Sequence, residues 1–212
     1  MTLLANYTLS HCIDDGTTSI FQSNGRQLAE RRGVNRGNCA TDIRHNFNMS
    51  SVYETPQFAN TTLRILASRW QLSGIVRLLS GAPLTVGSGV DAALTGTQDQ
   101  RANQVLADPY ASNKGVALWL NPASFARPAT GEYGASSVGA YRGPGSIRID
   151  VGVTRKFQVR ENHLLEFRAE AFNVPNHVNP GNPTTTLNSS QFGRILSASD
   201  PRIMQLALKY VF

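Results

Sequence analysis

The side chains that most often carry metal chemistry are few and widely spaced in this sequence. The two cysteines are Cys12 and Cys39. The four histidines are His11, His45, His163 and His177. No two histidines have the His-x-x-x-His spacing of a metal-binding helix, and no Cys-x-x-Cys pair occurs. The sequence therefore predicts no metal site.

Motifs for catalysis and for nucleotide binding are also absent. His11 and Cys12 are neighbours, but adjacent strand residues point to opposite faces, so they would make a poor nucleophile and base. There is no Gly-x-Ser-x-Gly elbow, and no glycine-rich run matches a phosphate-binding loop. The run Asp14-Asp15-Gly16 lacks the later carboxylates of a calcium loop and predicts a turn. We expect no catalytic residue, no cofactor and no enzyme activity.

The two cysteines could have a structural role in place of a chemical one. A Cys12–Cys39 disulfide would close a loop of about 27 residues and stabilise it by roughly 3 kcal/mol. Sequence separation does not show whether the two side chains come within bonding distance. A bridge, which we favour, and two unpaired thiols both remain open at this point.

Composition narrows the class of protein. The chain has 212 residues, of which 41% are hydrophobic and 16% are charged, and this low charge argues against a highly charged disordered chain. The net charge is +6, but lysine and arginine are scattered and form no basic stripe. We therefore expect no nucleic-acid partner. The N-terminus shows neither the basic region nor the cleavage site of a signal peptide, and no apolar run is long enough for a membrane helix.

The C-terminal segment Arg202–Phe212 has the clearest pattern in the chain. Apolar or aromatic residues occupy every second position back from the end: Phe212, Tyr210, Leu208, Leu206 and Met204. A period of two indicates a strand. About 9–11 residues is also the length that a tilted strand needs to cross a bilayer.

Six segments in total alternate in this way. They are Leu3–Leu9, Arg44–Tyr53, Arg69–Leu79, Ile147–Phe157, His163–Asn173 and Arg202–Phe212. The third has the weakest pattern, because Leu63–Leu79 could also be drawn as an amphipathic helix. The sequence predicts an all-β chain, an antiparallel meander of about six transmembrane-type strands.

The connections between these segments alternate between long and short. Membrane barrels show this asymmetry, with long outer loops and short periplasmic turns such as the predicted Gln158–Asn162. The longest connection, Ser80–Ser146, carries four aromatic residues: Trp119, Phe125, Tyr133 and Tyr141. These side chains could contact a ligand or could pin the loop onto the barrel rim, and we rate the two roles equally.

The two faces of the predicted strands differ in polarity. Glu166, Arg168 and Glu170 alternate with apolar residues, as do Arg148 and Asp150. In a membrane barrel the charged face would line the lumen and the apolar face would meet lipid. In a soluble or secreted binding module, such as a lectin-like sandwich, the charged face would meet solvent and the apolar face would pack on a second sheet. Six strands are too few to close a membrane barrel, so the barrel interpretation requires further strands.

Several stretches in order along the chain resemble one family. They are Asn6–Cys12, Arg44–Asn48, Asn121–Phe125, Tyr141–Gly145, Ile149–Phe157, Glu166–Asn173, Phe192–Ile195 and Asp200–Arg202. They resemble the C-terminal β-barrel region of TonB-dependent outer-membrane receptors, and in particular the Oar-like group of acidobacterial type. The resemblance covers nearly the whole chain.

The resemblance implies a fold, a location and partners. Residues 1–212 would be the C-terminal segment of a barrel of 22-stranded type, without the plug, the TonB box or the signal peptide. The segment would contribute wall and extracellular loops for substrate uptake in the cell outer membrane, and we expect this fragment not to be active alone. Its partners would be outer-membrane lipid, the remaining barrel strands, the plug and, only through the missing N-terminal part, TonB.

The end of the chain implies one further partner. A terminal strand that ends in phenylalanine, with aromatic or apolar residues at alternate positions before it, resembles the signal read by the barrel-assembly machinery. Phe212, Tyr210 and Leu208 would carry that signal.

Overall fold

The computed structural model describes residues 1–15, 32–96, 100–161 and 163–212. These residues form mostly antiparallel strands, with one short α-helix and two 3-10 helices. Gly16 of the predicted turn at Asp14–Gly16 and Asn162 of the predicted turn at Gln158–Asn162 lie outside the described residues.

Six long strands form the framework of the chain. They are β1 (Thr2–Leu9), β4 (His45–Glu54), β5 (Trp70–Leu79), β10 (Ser146–Arg160), β11 (His163–Phe172) and β12 (Ile203–Val211). Within the described residues they make one six-stranded sheet in the order β1-β4-β5-β10-β11-β12. All neighbouring pairs are antiparallel, so the sheet is the predicted meander.

Cross-strand register places the alternating residues of all six strands on two common faces. The apolar face includes Tyr7, Phe47, Met49, Leu72, Val76, Ile149, Val151, Phe167, Leu206 and Leu208. The polar face includes Asn6, Asn48, Ser73, Arg77, Arg148, Asp150, Glu166, Arg168, Glu170 and Gln205. A one-residue slip in any strand would exchange its faces, so the pattern specifies the register.

The short elements lie in the long connections, except for the helix. The short strands are β2 (Ile13–Asp14), β3 (Gly37–Asn38), β6 (Pro83–Leu84), β7 (Asn103–Gln104), β8 (Phe125–Ala126) and β9 (Tyr141–Arg142). The 3-10 helices are Arg32–Asn35 and Pro122–Ser124, and α1 is Thr61–Ala67. Because β1, β5 and β11 run in the same direction, the three long connections that follow them meet at one end of the sheet. We call their described residues, 10–15, 32–44, 80–96, 100–145 and 173–202, the cap.

The hydrophobic core of the described chain lies in the cap and not on the sheet. Its cluster consists of Leu84, Val86, Ala102, Leu120, Phe125, Tyr141 and Phe192. The phenyl ring of Phe125 packs edge-on against Tyr141 at 5.2 Å and against Phe192 at 5.6 Å between ring centroids. On the apolar face of the sheet, by contrast, Leu206 is 76% exposed and Leu208 is 68% exposed.

The exposed apolar face of the sheet allows the interpretation as a soluble sandwich to be examined. A sandwich requires a second sheet packed on that face. In the part of the chain that the structure describes, the other sheets are two-stranded pairs within the cap. The described residues therefore provide no second layer for a sandwich core.

The ends of the six strands lie within one residue of the predicted ends, except for the end of β10, and the uncertain third segment is resolved. Leu63–Leu79, which fitted either a strand or a helix, contains both, because α1 ends at Ala67 and β5 begins at Trp70. Strand β10 continues to Arg160, beyond the predicted end at Phe157, because a register shift lets Arg160 pair with His163. No helix among the described residues has the length and apolar character needed to cross a bilayer.

Candidate functional site

Backbone hydrogen bonds join the second and third long connections of the cap, residues 80–145 and 173–202, into one body. Gly87 N–H donates to Thr185 O at 3.0 Å, and Leu187 N–H donates back to Gly87 O at 2.8 Å. Trp119 N–H donates to Gly193 O at 2.7 Å. The cap is therefore an ordered surface above the sheet and not a set of independent loops.

A disulfide and a buried carboxylate join the first long connection to the rest of the cap. Cys12 and Cys39 are bonded, with Cα atoms 5.4 Å apart. The bridge brings Cys12 N–H to 2.9 Å from Asp42 Oδ1, and Asp42 N–H donates to Cys39 O at 3.0 Å. The opposite oxygen of Asp42 receives Arg142 Nη2, and Arg142 Nη1 also donates to Asp42 O at 2.6 Å. Asp42 thus connects the disulfide to the far end of the longest connection.

The charge state of Asp42 follows from these contacts. Burial acts to raise the pKa of its carboxyl, but hydrogen bonds from Arg142 and from Cys12 N–H, together with the charges of Arg142 and Arg44, hold the pKa below its usual value of 3.8. Asp42 is therefore ionised at neutral pH.

The structure places the four predicted ligand-contact aromatics in different settings. Phe125 and Tyr141 are 6% and 3% exposed in the core of the cap. Trp119 packs against that core, and its indole N–H donates to Arg142 O at 2.8 Å. These three side chains thus pack in or against the core of the cap. Tyr133 is half-buried and stays a candidate for ligand contact.

A pocket of about 560 Å³ lies where the polar face of the sheet meets the cap. The strands contribute Arg77, Arg148 and Gln205 to its wall, and the last connection contributes Ser199 and Asp200. Its position, open to the polar face and roofed by the cap, makes it the best candidate for a ligand site in the described chain.

Three side chains fix the roof of this pocket. Asp150 Oδ1 accepts a hydrogen bond from Asn173 N–H at 2.9 Å, which fixes the start of the last connection against β10. Asn173 has a positive φ of 51° and donates its side-chain amide to His177 O at 3.0 Å, which folds the chain back. Asn179 receives Ile147 N–H at 2.7 Å and donates to Ile147 O at 2.9 Å, as a neighbouring strand would.

The charges in the pocket allow it to receive a polar or anionic group. Arg77 and Arg148 are directly opposite one another on adjacent strands. Arg148 pairs with Asp150, whereas no described carboxylate lies within ion-pair distance of Arg77. A guanidinium can form two parallel hydrogen bonds to a carboxylate or phosphate. The negative charge of Asp200, in the wall, reduces the positive electrostatic potential of the pocket. Among the residues that the structure describes, no group of His, Cys, Asp and Glu side chains is arranged to hold a metal ion.

Sequence comparison agrees with this architecture. The sequence matches the outer membrane beta barrel domain family over residues 1–205. The chain belongs to this family. No curated protein and no solved structure matches it.

Membership of the outer-membrane β-barrel family assigns the two faces of the sheet. In such domains the apolar face meets lipid and the polar face lines the lumen. From Ile147 to Phe157, ten residue steps of about 3.3 Å tilted by about 40° span roughly 25 Å, which is the height of the apolar band of an outer-membrane barrel. The pocket then opens to the lumen, and the cap covers one mouth of it.

The three residues of the predicted assembly signal lie on the lipid side of the last strand. Phe212 is 88% exposed, Leu208 is 68% exposed and Tyr210 is 53% exposed. Tyr210 Oη lies 2.7 Å from His163 Nδ1, and the two rings stack. The side chains are therefore presented on one surface at the end of the sheet.

Sequence reasoning assigned no role to Asp42, Arg142, Asn173 or Asn179. Each acts across the chain, and the partners of Arg142 and Asn179 are 100 and 32 residues away. The signal that was available is local, since Asn179 directly precedes Pro180, Asn173 lies two residues before Pro175, and asparagine readily adopts positive φ.

Proposed function

We propose that this outer-membrane β-barrel domain is part of the wall of a TonB-dependent receptor of Oar-like type and takes part in solute uptake. The segregation of an apolar and a polar face across six strands, with an ordered cap at one end only, is the observation that carries the proposal. The cap would face outward, and the short connections would face the periplasm.

The free edges of the sheet support a larger barrel. Strands β1 and β12 each have one partner within the described residues. Unpaired backbone groups cannot remain in hydrocarbon, so both edges need further strands. A barrel of 22-stranded type with a plug would supply them, and TonB would act through that plug and not through the residues described here.

The lumen pocket gives the receptor a place to hold a solute beneath the cap. Arg77, on the polar face of β5, would bind an anionic or hydrogen-bonding part of the solute. In the intact receptor, uptake of a panel of nutrients (oligopeptides, oligosaccharides and iron chelates) should require both TonB and the cap. Uptake that persists unchanged without TonB would contradict a receptor and favour a passive pore.

An Arg77→Gln change in the receptor should reduce uptake of its solute, because it removes the guanidinium of the pocket that has no described carboxylate partner. Arg168→Gln is the matched control: Arg168 is on the same face, but it already pairs with Glu166 at 3.0 Å and lies outside the pocket. An equal loss in both variants would show a general effect of lumen charge and no site at Arg77.

We also propose that Phe212, Tyr210 and Leu208 are read by the barrel-assembly machinery. Deletion of Phe212 should lower the fraction of receptor assembled in the outer membrane several-fold, measured by fractionation and by heat-modifiable gel mobility. Phe212→Tyr, which keeps an aromatic ring at the end, should assemble as the unaltered protein does. An unchanged assembled fraction after the deletion would exclude this role.

A further inference from the structure

The helix α1 (Thr61–Ala67) departs from the pattern of the rest of the sheet. It lies in the short connection between β4 and β5, at the end away from the cap, and it has no buried residue. Leu63, Ile65 and Leu66 are 49%, 62% and 65% exposed. A short periplasmic turn does not need three exposed aliphatic side chains, so their environment requires an explanation.

Direct contacts fix the side of the sheet on which α1 lies. Arg155 Nη1 donates to Leu66 O at 3.0 Å, and Arg155 Nη2 donates to Ile65 O. The indole N–H of Trp70 also donates to Leu66 O, at 2.8 Å. Arg155 and Trp70 are opposite one another on the apolar face. The C-terminal end of α1 therefore lies on the lipid side of the sheet and not on the lumen side.

These contacts also explain the charge that interrupts the apolar face in the middle of β10. Arg155 interrupts the series Ile149, Val151 and Val153, and an unpaired arginine facing hydrocarbon is costly. Arg155 is only 9% exposed, because the helix carbonyls and two aromatic rings enclose its guanidinium. Its centre lies 5.2 Å from the ring of Trp70 and 4.5 Å from that of Phe157.

The connection is ordered at both of its ends. Thr55 N–H donates to Trp70 O at 2.8 Å, and Trp70 N–H donates to Thr55 Oγ1 at 2.8 Å. The side chain of Asn60 caps the start of α1 by accepting Thr62 N–H at 3.0 Å. The helix is thus held in one position beside the lipid-facing band.

We propose that α1 is an interfacial helix that inserts Leu63, Ile65 and Leu66 into the periplasmic leaflet of the bilayer. This inference rests on the proposed lipid-facing role of the apolar face, with which the helix is continuous. Aliphatic side chains enter the boundary between headgroups and acyl chains, and Arg64 is the helix's single charged residue, suited to a lipid phosphate. The partner is therefore phospholipid and not a second protein.

Site-directed spin labelling of this chain within its complete barrel, reconstituted in phosphatidylethanolamine–phosphatidylglycerol vesicles, tests this. Both native cysteines of this chain are in the disulfide, so one introduced cysteine is its single free thiol. The three sites to compare are Leu66→Cys in α1, Leu206→Cys in the lipid-facing band and Leu94→Cys in the cap. Accessibility to oxygen relative to a water-soluble nickel chelate should be several-fold higher at positions 66 and 206 than at 94.

The possible outcomes separate the two claims. Lipid-like accessibility at 206 with water-like accessibility at 66 would overturn the interfacial helix and leave the barrel wall intact. Water-like accessibility at both sites would overturn the lipid-facing face itself, and the helix proposal with it.

A second variant tests the positioning role of Arg155. Arg155→Gln in the Leu66→Cys background should increase label mobility and shift the label toward water, because two hydrogen bonds to the helix end are lost. Arg168→Gln, a change on the polar face of the neighbouring strand, should leave the label unchanged. An identical spectrum for Arg155→Gln and the unaltered residue would show that Arg155 does not hold the helix.

Discussion

The cap and the sheet of this chain are stabilised in different ways. The cap consists of connections, yet it contains the buried cluster around Leu120 and Phe125, a disulfide and the buried charge of Asp42. The sheet is regular, yet both of its faces are largely exposed, with Leu206 76% and Ile75 55% exposed. A cap of this kind can be stable in water, whereas the sheet needs lipid on one face. The comparison predicts that the two regions respond to different changes.

The two tryptophans report on the two regions separately. Trp119 packs against the core of the cap, and Trp70 lies on the apolar face of β5. Variants that retain one tryptophan, by Trp70→Phe or Trp119→Phe, allow the unfolding of each region to be followed by fluorescence.

The largest effect should come from Phe125→Ala. The phenyl ring is 6% exposed and contacts Tyr141 and Phe192 edge-on, so its loss should destabilise the cap by about 3–5 kcal/mol. Hydrogen exchange should show less protection in the cap and unchanged protection in the strands. Leu94→Ala, at a position that is 72% exposed, is the control and should change little. Equal loss of protection in cap and strands would show that the two regions unfold as one.

The matching change in the sheet is Leu206→Arg. An arginine near the bilayer midplane destabilises a barrel by roughly 2–4 kcal/mol, which urea titration of the complete barrel folded into vesicles would measure. Gln205→Arg is the control, because Gln205 is the preceding residue and lies on the polar face. The same penalty at both positions would contradict the assignment of the faces.

Removing the disulfide should act on the cap alone. Cys12→Ser combined with Cys39→Ser releases a link across 27 residues and should destabilise the cap by roughly 3 kcal/mol. Unfolding followed by Trp119 should shift to lower denaturant, and unfolding followed by Trp70 should not. Dithiothreitol should reproduce the shift in the unaltered chain. A shift in the Trp70 signal of equal size would place the disulfide's effect on the sheet as well.

Acid should weaken the cap by a smaller amount. The pKa of Asp42 is lowered in the folded chain, so its contribution is fully present above its usual pKa of 3.8 and is lost as the pH falls through the lowered value. The Trp119-reported midpoint should therefore drop below about pH 4. Asp42→Asn should remove most of that pH dependence, and an unchanged acid profile in this variant would assign the effect to other carboxyls.

The sheet was largely predictable from the sequence, and the reason is visible in β12. Alternation from Met204 to Tyr210 has a period of two, and period two specifies both the strand and its faces. The break at Arg155 could not be explained from sequence, because its partners are the carbonyls of Ile65 and Leu66, about 90 residues earlier. The local sequence pattern shows the periodicity of a strand, but it does not show which distant connection packs against that strand.

The cap was predicted as long connections, with a Cys12–Cys39 bridge favoured in the first of them. Its motif at Tyr141–Gly145 carries part of the family resemblance, and the structure shows what the first three residues of the motif do. Tyr141 fills the core, and Arg142 binds Asp42. A Cβ atom at Gly143 would lie 2.5 Å from Asn182 Oδ1, so a larger residue would force the two connections apart. Such contacts between distant segments leave no periodic signal in the sequence.

The central claim, that one face of this sheet meets lipid and the other meets water, is tested most directly by a cysteine scan along β12. Each residue from Met204 to Tyr210 would be changed in turn to cysteine, spin-labelled and measured in the complete barrel in vesicles for relative accessibility to oxygen and to the nickel chelate. The structure predicts a period of two, with lipid-like values at 204, 206, 208 and 210 and water-like values at 205, 207 and 209. Uniform accessibility along the strand would contradict a membrane-spanning wall.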